Sequence, residues 1–310
     1  KQYKTFSIVS KFGNVTIAFH QLSFEACNSK YGIGGIYISM SRSLYIQKKL
    51  NIYISMTYCE FTNNNSENNI RSGGTLKFVH VHKILIKNCK FWENSGKISG
   101  VVTIMITKCV TLVMTVFVSH SIYYSTGATL HVRSAAAALL ENVIFSKNFA
   151  HTGGGTSASF NFGAAGATST VMLRSCQIVL VFQLYSHSNE AWYGGGLYIS
   201  HFRNVTIKNS SFIGNSVTNK GGGIAGDHGQ SFIIAHTFFS DSKAGSNGAG
   251  ICGYNIKIIT ILFSKFTRNH ASFSGGGIYI NRVHIFHNFK NTFISNRAKR
   301  HGQGAAIAMY

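Results

Sequence analysis

The sequence predicts an all-β fold: a single-stranded, right-handed parallel β-helix of about ten coils, each with three short strands. Three observations predict it. A Phe recurs at nearly constant spacing, an Asn follows it three residues later, and a glycine cluster about nine residues after the Phe runs into an Ile-rich strand. No segment sustains the 3.6-residue apolar period that a helix needs.

The first element is the repeat itself. Aligning on the aromatic gives Phe24, Phe61, Phe91, Phe117, Phe145, Tyr185, Phe212, Phe238, Phe266 and Phe293, and seven of the nine gaps are 26 to 30 residues. A period of this size marks stacked units that cannot bury their apolar faces alone. Each unit opens on a β-rich run such as "NVTI" (204–207) or "IKIITILF" (256–263). In a parallel stack, equivalent residues lie about 4.8 Å apart and form ladders. Phe61, Phe91, Phe145, Phe212, Phe266 and Phe293 are therefore expected to fill the interior, burying apolar area worth about 25 cal/mol per Å².

The second element is polar. Asn64, Asn94, Asn148, Asn215, Asn269 and Asn296 stand three residues after the aromatic, with Cys27, His120, Ser188 and Asp241 there in other units. Buried amides stacked this way can bond each other and the turn backbone. The third element, "GGG" at 221–223 and its equivalents, supplies a positive-φ corner and lets neighbouring coils approach closely.

Residues 1–310 read as one continuous solenoid. The two long gaps place insertions near 40–56 and 157–184, where solenoids put surface loops. The apolar run from Val101 to Val118 is long enough to raise a membrane span, but it keeps the repeat register and reads as strands. The closing "GAAIAMY" lacks a polar cap. Since an uncapped coil offers an open edge, a piece of a longer chain, or self-association through coil ends, is expected.

The literal Phe-x-x-Asn motifs "FTNN", "FWEN", "FSKN", "FIGN", "FTRN" and "FISN", together with recurring glycine motifs of the type "GGG", "GAG" or "GQGAA", resemble the repeats of chlamydial polymorphic outer membrane proteins. The match spans about residues 14 to 310. The resemblance implies a surface-exposed β-helix used in adhesion, and it implies no enzyme.

Charge bounds the partners. Lys and Arg outnumber Asp and Glu 29 to 8, a net +21, and a field of that sign attracts polyanions. Acidic polysaccharide or another polyanion is the expected partner class. Sequence-specific nucleic-acid binding is not expected, because no recognition module is present. The eight acids (Glu25, Glu60, Glu67, Glu93, Glu141, Glu190, Asp227 and Asp241) are scattered over different coils. That leaves neither the carboxyl pair of a glycosidase nor a cluster of Ca²⁺ ligands. No catalytic, cofactor or metal residue is assigned. The nearest approach to a catalytic pair, Asp227-His228, reads as a loop, since neighbours in a strand face opposite ways. His80 and His82 would share a strand face, but no third or fourth ligand converges with them.

Candidate binding residues lie on the strand after the glycine cluster. Its outward row includes Tyr37, Lys77, His131, Tyr198 and Tyr279, a possible glycan or polyanion face built from aromatic and basic side chains. Cys59 and Cys89 stand in equivalent positions of consecutive coils, either as a disulfide or as stacked buried thiols. Asn14, Asn204 and Asn209 head glycosylation sequons; a further sequon, at Asn64, conflicts with its ladder position. Proline is absent, and nothing in the fold accounts for that. The sequence therefore points to an extracellular or cell-surface module for adhesion, assembly or glycan binding. The alternative is a polysaccharide lyase or glycoside hydrolase of the pectate-lyase-like class.

Overall fold

The computed structural model describes residues 13–29, 33, 35–40, 50–66, 74–96, 101–122, 129–150, 171–299 and 302–310. Three sheets of 14, 10 and 9 strands run through these residues. Pairing is parallel and always to the equivalent strand of a neighbouring coil, for example Leu197–Lys208 with Ile224–Ala235 and then Ile251–Leu262. The chain is thus a β-solenoid, and no helix among the described residues is long and apolar enough to cross a membrane. The Val101–Val118 run lies in strands Val102–Val113 and Val116–Val118.

The interior is an aromatic stack. Phe24, Phe61, Phe91, Phe117 and Phe145 lie ring on ring at 4.6 to 4.9 Å and within 7° of parallel. Phe212, Phe239, Phe266 and Phe293 form a second run at 4.7 to 5.2 Å. Coil spacing imposes this near-parallel geometry. Two alignments shift by one residue. Ser186, not Tyr185, pairs with Phe145 and Phe212, and Phe239, not Phe238, pairs with Phe212 and Phe266. In both units an aromatic on the outer face immediately precedes the inward position. Ser186 therefore interrupts the stack.

Beside the stack runs the amide ladder. Asn64 donates both its backbone N–H and its Nδ2 to Asn94 Oδ1 at 2.9 Å, and Nδ2 also reaches the Phe24 carbonyl at 2.9 Å. The same geometry joins Asn148 to Asn189 and Asn269 to Asn296. The one-residue shifts make Asn189 and Ser242 the rungs in place of Ser188 and Asp241. His120 substitutes for an amide, its Nδ1 accepting the Asn94 N–H at 3.0 Å.

Each coil turns at left-handed residues. His201 (φ 55°), Asn209 (φ 50°), Gly214 (φ 61°) and Gly221 (φ 73°) mark four corners of one coil, and 27 described residues other than glycine adopt positive φ. Only the last corner depends on glycine. A Cβ on Gly221 would lie 2.5 Å from the Ile224 carbonyl oxygen, and one on Gly223 would lie 2.6 Å from the Gly250 carbonyl oxygen of the next coil. The long strands thus contain a corner; Ile224–Ala235 bends at His228 (φ 52°).

The insertions are shorter than the sequence reading gave them. Leu50–Thr57 is a regular strand paired to Gly13–His20, and Val171–Arg174 and Ile178–Phe182 take their places in the first sheet. The remainders, 41–49 and 157–170, lie outside the described residues.

Candidate functional site

The outward row is in register: Tyr37 pairs with Lys77, Thr103 with His131, and Tyr198, Ala225, Cys252 and Tyr279 follow one another. It is not an open face. His131, Tyr198 and Tyr279 are only 5%, 6% and 9% exposed, whereas Tyr37 is 46% exposed. The glycine corner folds over the row and covers it. A Cβ on Gly194 would stand 2.9 Å from Tyr198 Cβ, and one on Gly248 would stand 2.9 Å from Cys252 Cβ. Burial also lowers the Lys77 pKa. The five candidates therefore form one ladder, mostly roofed by backbone.

The next outward row of the same strands is partly open to solvent from Asp227 onward, while Ser200 is buried. Ser200, Asp227, Tyr254 and Asn281 pair in sequence there. Beside them the corner residues His201, His228, Asn255 and Arg282, all at positive φ, form a second column. The left-handed turn at His228 breaks strand alternation, so Asp227 and His228 come together instead of facing apart. His228 Nδ1 lies 2.7 Å from Asp227 Oδ1, a close approach without hydrogen-bond alignment. On its other side, His228 Nε2 is 3.2 Å from the Asn255 amide nitrogen, which donates to it when the ring is neutral. The His201 ring stacks on His228 at 5.0 Å and 8°.

Tyr254 is the aromatic centre of this cluster. Lys220 Nζ stands 5.9 Å from its ring centroid and Arg282 Cζ 5.6 Å, within the range at which a ring face attracts a cation. Beneath lies Cys252, whose thiol is pushed up to about 12, first by burial; Asp227 raises it further and Lys220 opposes. Lys220 and Asp227 thus both act on the same small volume. The cluster combines one carboxylate, imidazoles, an aromatic ring and two cations. Sequence reading missed it because a corner, not a motif, brings these residue types together.

Other candidates resolve simply. Cys59 and Cys89 are buried free thiols, not a disulfide. In-register ladder neighbours are about 4.8 Å apart with parallel Cβ bonds, while a disulfide needs Cβ atoms at about 3.8 Å. Each thiol donates to a carbonyl instead, Cys59 to Thr57 at 3.5 Å and Cys89 to Lys87 at 3.3 Å. Asn14, Asn204 and Asn209 are exposed, whereas Asn64 is a buried rung. His80 takes a corner (φ 56°) and His82 is buried, so they do not share an open face. No group of three or more His, Cys, Asp or Glu suited to a metal ion occurs among the described residues.

No family model and no curated protein sequence matches the chain. Among solved structures, the surface protein and adhesin PfbA of Streptococcus pneumoniae is similar at TM-score 0.40 and 10% identity, over 95% of this chain and 91% of that one. The A-module of the Azotobacter vinelandii mannuronan C-5 epimerase AlgE6 is similar at TM-score 0.34 and 9% identity, over 96% and 90%. At these scores neither likeness bears on what this chain does.

Proposed function

We propose that this chain is an extracellular or cell-surface β-solenoid module that binds acidic polysaccharide as an adhesin, through the outer face around Tyr254. The observation that carries the reading is Tyr254 flanked by Lys220 and Arg282. An aromatic face can stack on a sugar ring while the cations meet its carboxylate or sulfate groups. A similar combination recurs where Lys290 lies 5.7 Å from the Phe263 ring and 5.3 Å from the Phe289 ring. The net charge of +21 supplies long-range attraction for the same partners, and the resemblance to chlamydial surface repeats supports the location. The test is retention on sulfated and carboxylated polysaccharides against neutral ones, at rising salt. Tyr254→Ala and Arg282→Gln should each weaken retention of acidic polymers. Absence of wild-type binding at low ionic strength would sink the reading.

One observation favours a second reading, a lyase-type activity. An imidazole held against a carboxylate stands beside Tyr254, with cations on either side of the ring. A cation that neutralises a uronate carboxylate makes the adjacent proton easier to remove, and the His228 imidazole becomes a suitable base once substrate displaces Asn255 from its Nε2. A hydrolase fits less well, since it needs two carboxyl groups about 5 to 10 Å apart, and the ladder neighbours of Asp227 are Ser200 and Tyr254. Polyuronates incubated with the protein in heavy water would gain deuterium at C5, or be cleaved, if this chemistry operates. Unchanged polymer removes the second reading.

A further inference from the structure

The third sheet carries a column of cations on its outer side. Lys243 pairs with His270 and His270 with Arg297, each directly in register. Neighbouring rungs of parallel strands lie about 4.8 Å apart. Lys299, two residues beyond Arg297, stands beside the top of the column, and Lys243, Arg297 and Lys299 are exposed. His270 separates Lys243 from Arg297, and no carboxylate among the described residues forms an ion pair with either cation. Glu190, in the same column, is separated from Lys243 by Ser216. Asp241, two residues before Lys243, is taken by Arg268 in a two-point contact at 2.7 and 2.8 Å. Elsewhere the chain does place opposite charges in register, as with Glu60 and Lys90 at 2.9 Å. The proton affinity of His270 reflects the local field: burial lowers its pKa, and Lys299, Arg297 and Lys243 lower it further.

We infer that this column is a second polyanion site, at which a linear acidic polysaccharide lies along the solenoid axis with its anionic groups meeting Lys243 and Arg297, two coils apart. The inference rests on the acidic-polysaccharide reading but concerns residues away from Tyr254. A one-charge-wide column with permanent cations at every second rung, two strand spacings of about 4.8 Å apart, suits a single-file polymer whose anionic groups repeat at a comparable interval. A compact anion would neutralise only one rung. A duplex nucleic acid, charged on two strands at one negative charge per about 1.7 Å of axis, would leave most of its charge unmet by so narrow a strip.

The experiment compares wild type, Lys243→Gln/Arg297→Gln and Tyr254→Ala, each checked for retained β-structure by circular dichroism. The probes are heparin oligosaccharides from disaccharide to decasaccharide, and a single-stranded oligonucleotide of equal charge. Wild-type affinity should rise with oligosaccharide length. The double variant should lose about fivefold per charge removed, the worth of one ion pair at contact in water, and its length dependence should flatten. Tyr254→Ala should keep the length dependence. The inference is overturned if the double variant binds like wild type, if the disaccharide binds as tightly as the decasaccharide, or if the oligonucleotide binds as tightly as the longest sugar. In the first case, loss of binding in Tyr254→Ala alone would leave the acidic-polysaccharide reading standing. Wild-type protein that binds no probe at low salt removes both.

Discussion

Asn189 is tied to Asn215 by two hydrogen bonds: its backbone N–H and its side-chain Nδ2 both donate to Asn215 Oδ1, at 3.2 and 2.9 Å. Asn215 Nδ2 in turn donates to the Ser186 carbonyl at 3.0 Å. One buried amide therefore serves an N–H and a carbonyl of the neighbouring coil, and Ser186 Oγ also donates to it at 3.4 Å. Asn215→Ala removes an acceptor from three donors and a donor from one carbonyl. At about 1–3 kcal/mol for a buried polar group left unmet, the variant should lose about 2–5 kcal/mol of stability. Urea titration followed by circular dichroism reads this directly. A loss below about 1 kcal/mol would show that water or local relaxation replaces the ladder.

His120 gives the ladder a pH dependence. It is fully buried, and burial is the main reason its pKa is held down to about 3, although the carbonyls of Asn94 and Phe91 pull upward. In the unfolded chain it titrates near 6.5. Its folded pKa is the lower one, so its contribution is complete above about 6.5 and is lost as pH falls towards 3. The slope should reach about 1.4 kcal/mol per pH unit. His120→Asn restores an amide to the rung and should flatten stability between these pH values. An unchanged slope would assign the acid sensitivity to other groups.

The thiols should behave as core residues. Burial raises the pKa of Cys89 to about 12, Cys176 to about 11 and Cys252 to about 12. Since thiolate is the reactive form, native protein at mildly alkaline pH should label first at the partly exposed Cys27 and Cys109. All six cysteines should react after unfolding, and reductant should leave the urea midpoint unchanged. Four reactive thiols in unfolded, unreduced protein would restore the Cys59–Cys89 disulfide.

The ladders were legible in the sequence because stacking repeats one chemistry at one position: Phe61, Phe91 and Phe145 answer the same interior, and Asn64 and Asn94 the same turn. The shifts at Ser186 and Phe239 were not legible. Tyr185 and Phe238 are aromatics of suitable size on the wrong face, and only pairing distinguishes the two. The site was hidden for a different reason. Alternation separates Asp227 from His228 only while the backbone stays extended, and a left-handed residue between strands cancels the rule. That corner is occupied by His80, Ile106, Ser134, Ser175, His201, His228, Asn255 and Arg282, a mixture of aliphatic, hydroxyl, imidazole, amide and guanidinium side chains with no single chemistry to read. The covering of Tyr198 and Tyr279 is likewise a contact made by the folded-over glycine corner, outside the reach of strand periodicity.

Ile106 tests the corners. Among the described residues it is the one β-branched side chain at a positive-φ position, at φ 55° and 37% exposed. A left-handed conformation costs an L-residue roughly 1–2 kcal/mol, and Asn tolerates it better than a β-branched side chain does. Ile106→Asn should therefore stabilise the protein by about 1 kcal/mol despite removing apolar surface. Ser134, at the equivalent corner of the adjacent coil (φ 60°), provides the reverse experiment: Ser134→Ile should cost a similar amount. Urea midpoints moving in opposite directions would locate the effect in the backbone. If both substitutions destabilise, side-chain packing outweighs backbone strain at this corner, and its left-handed residues are held by their contacts.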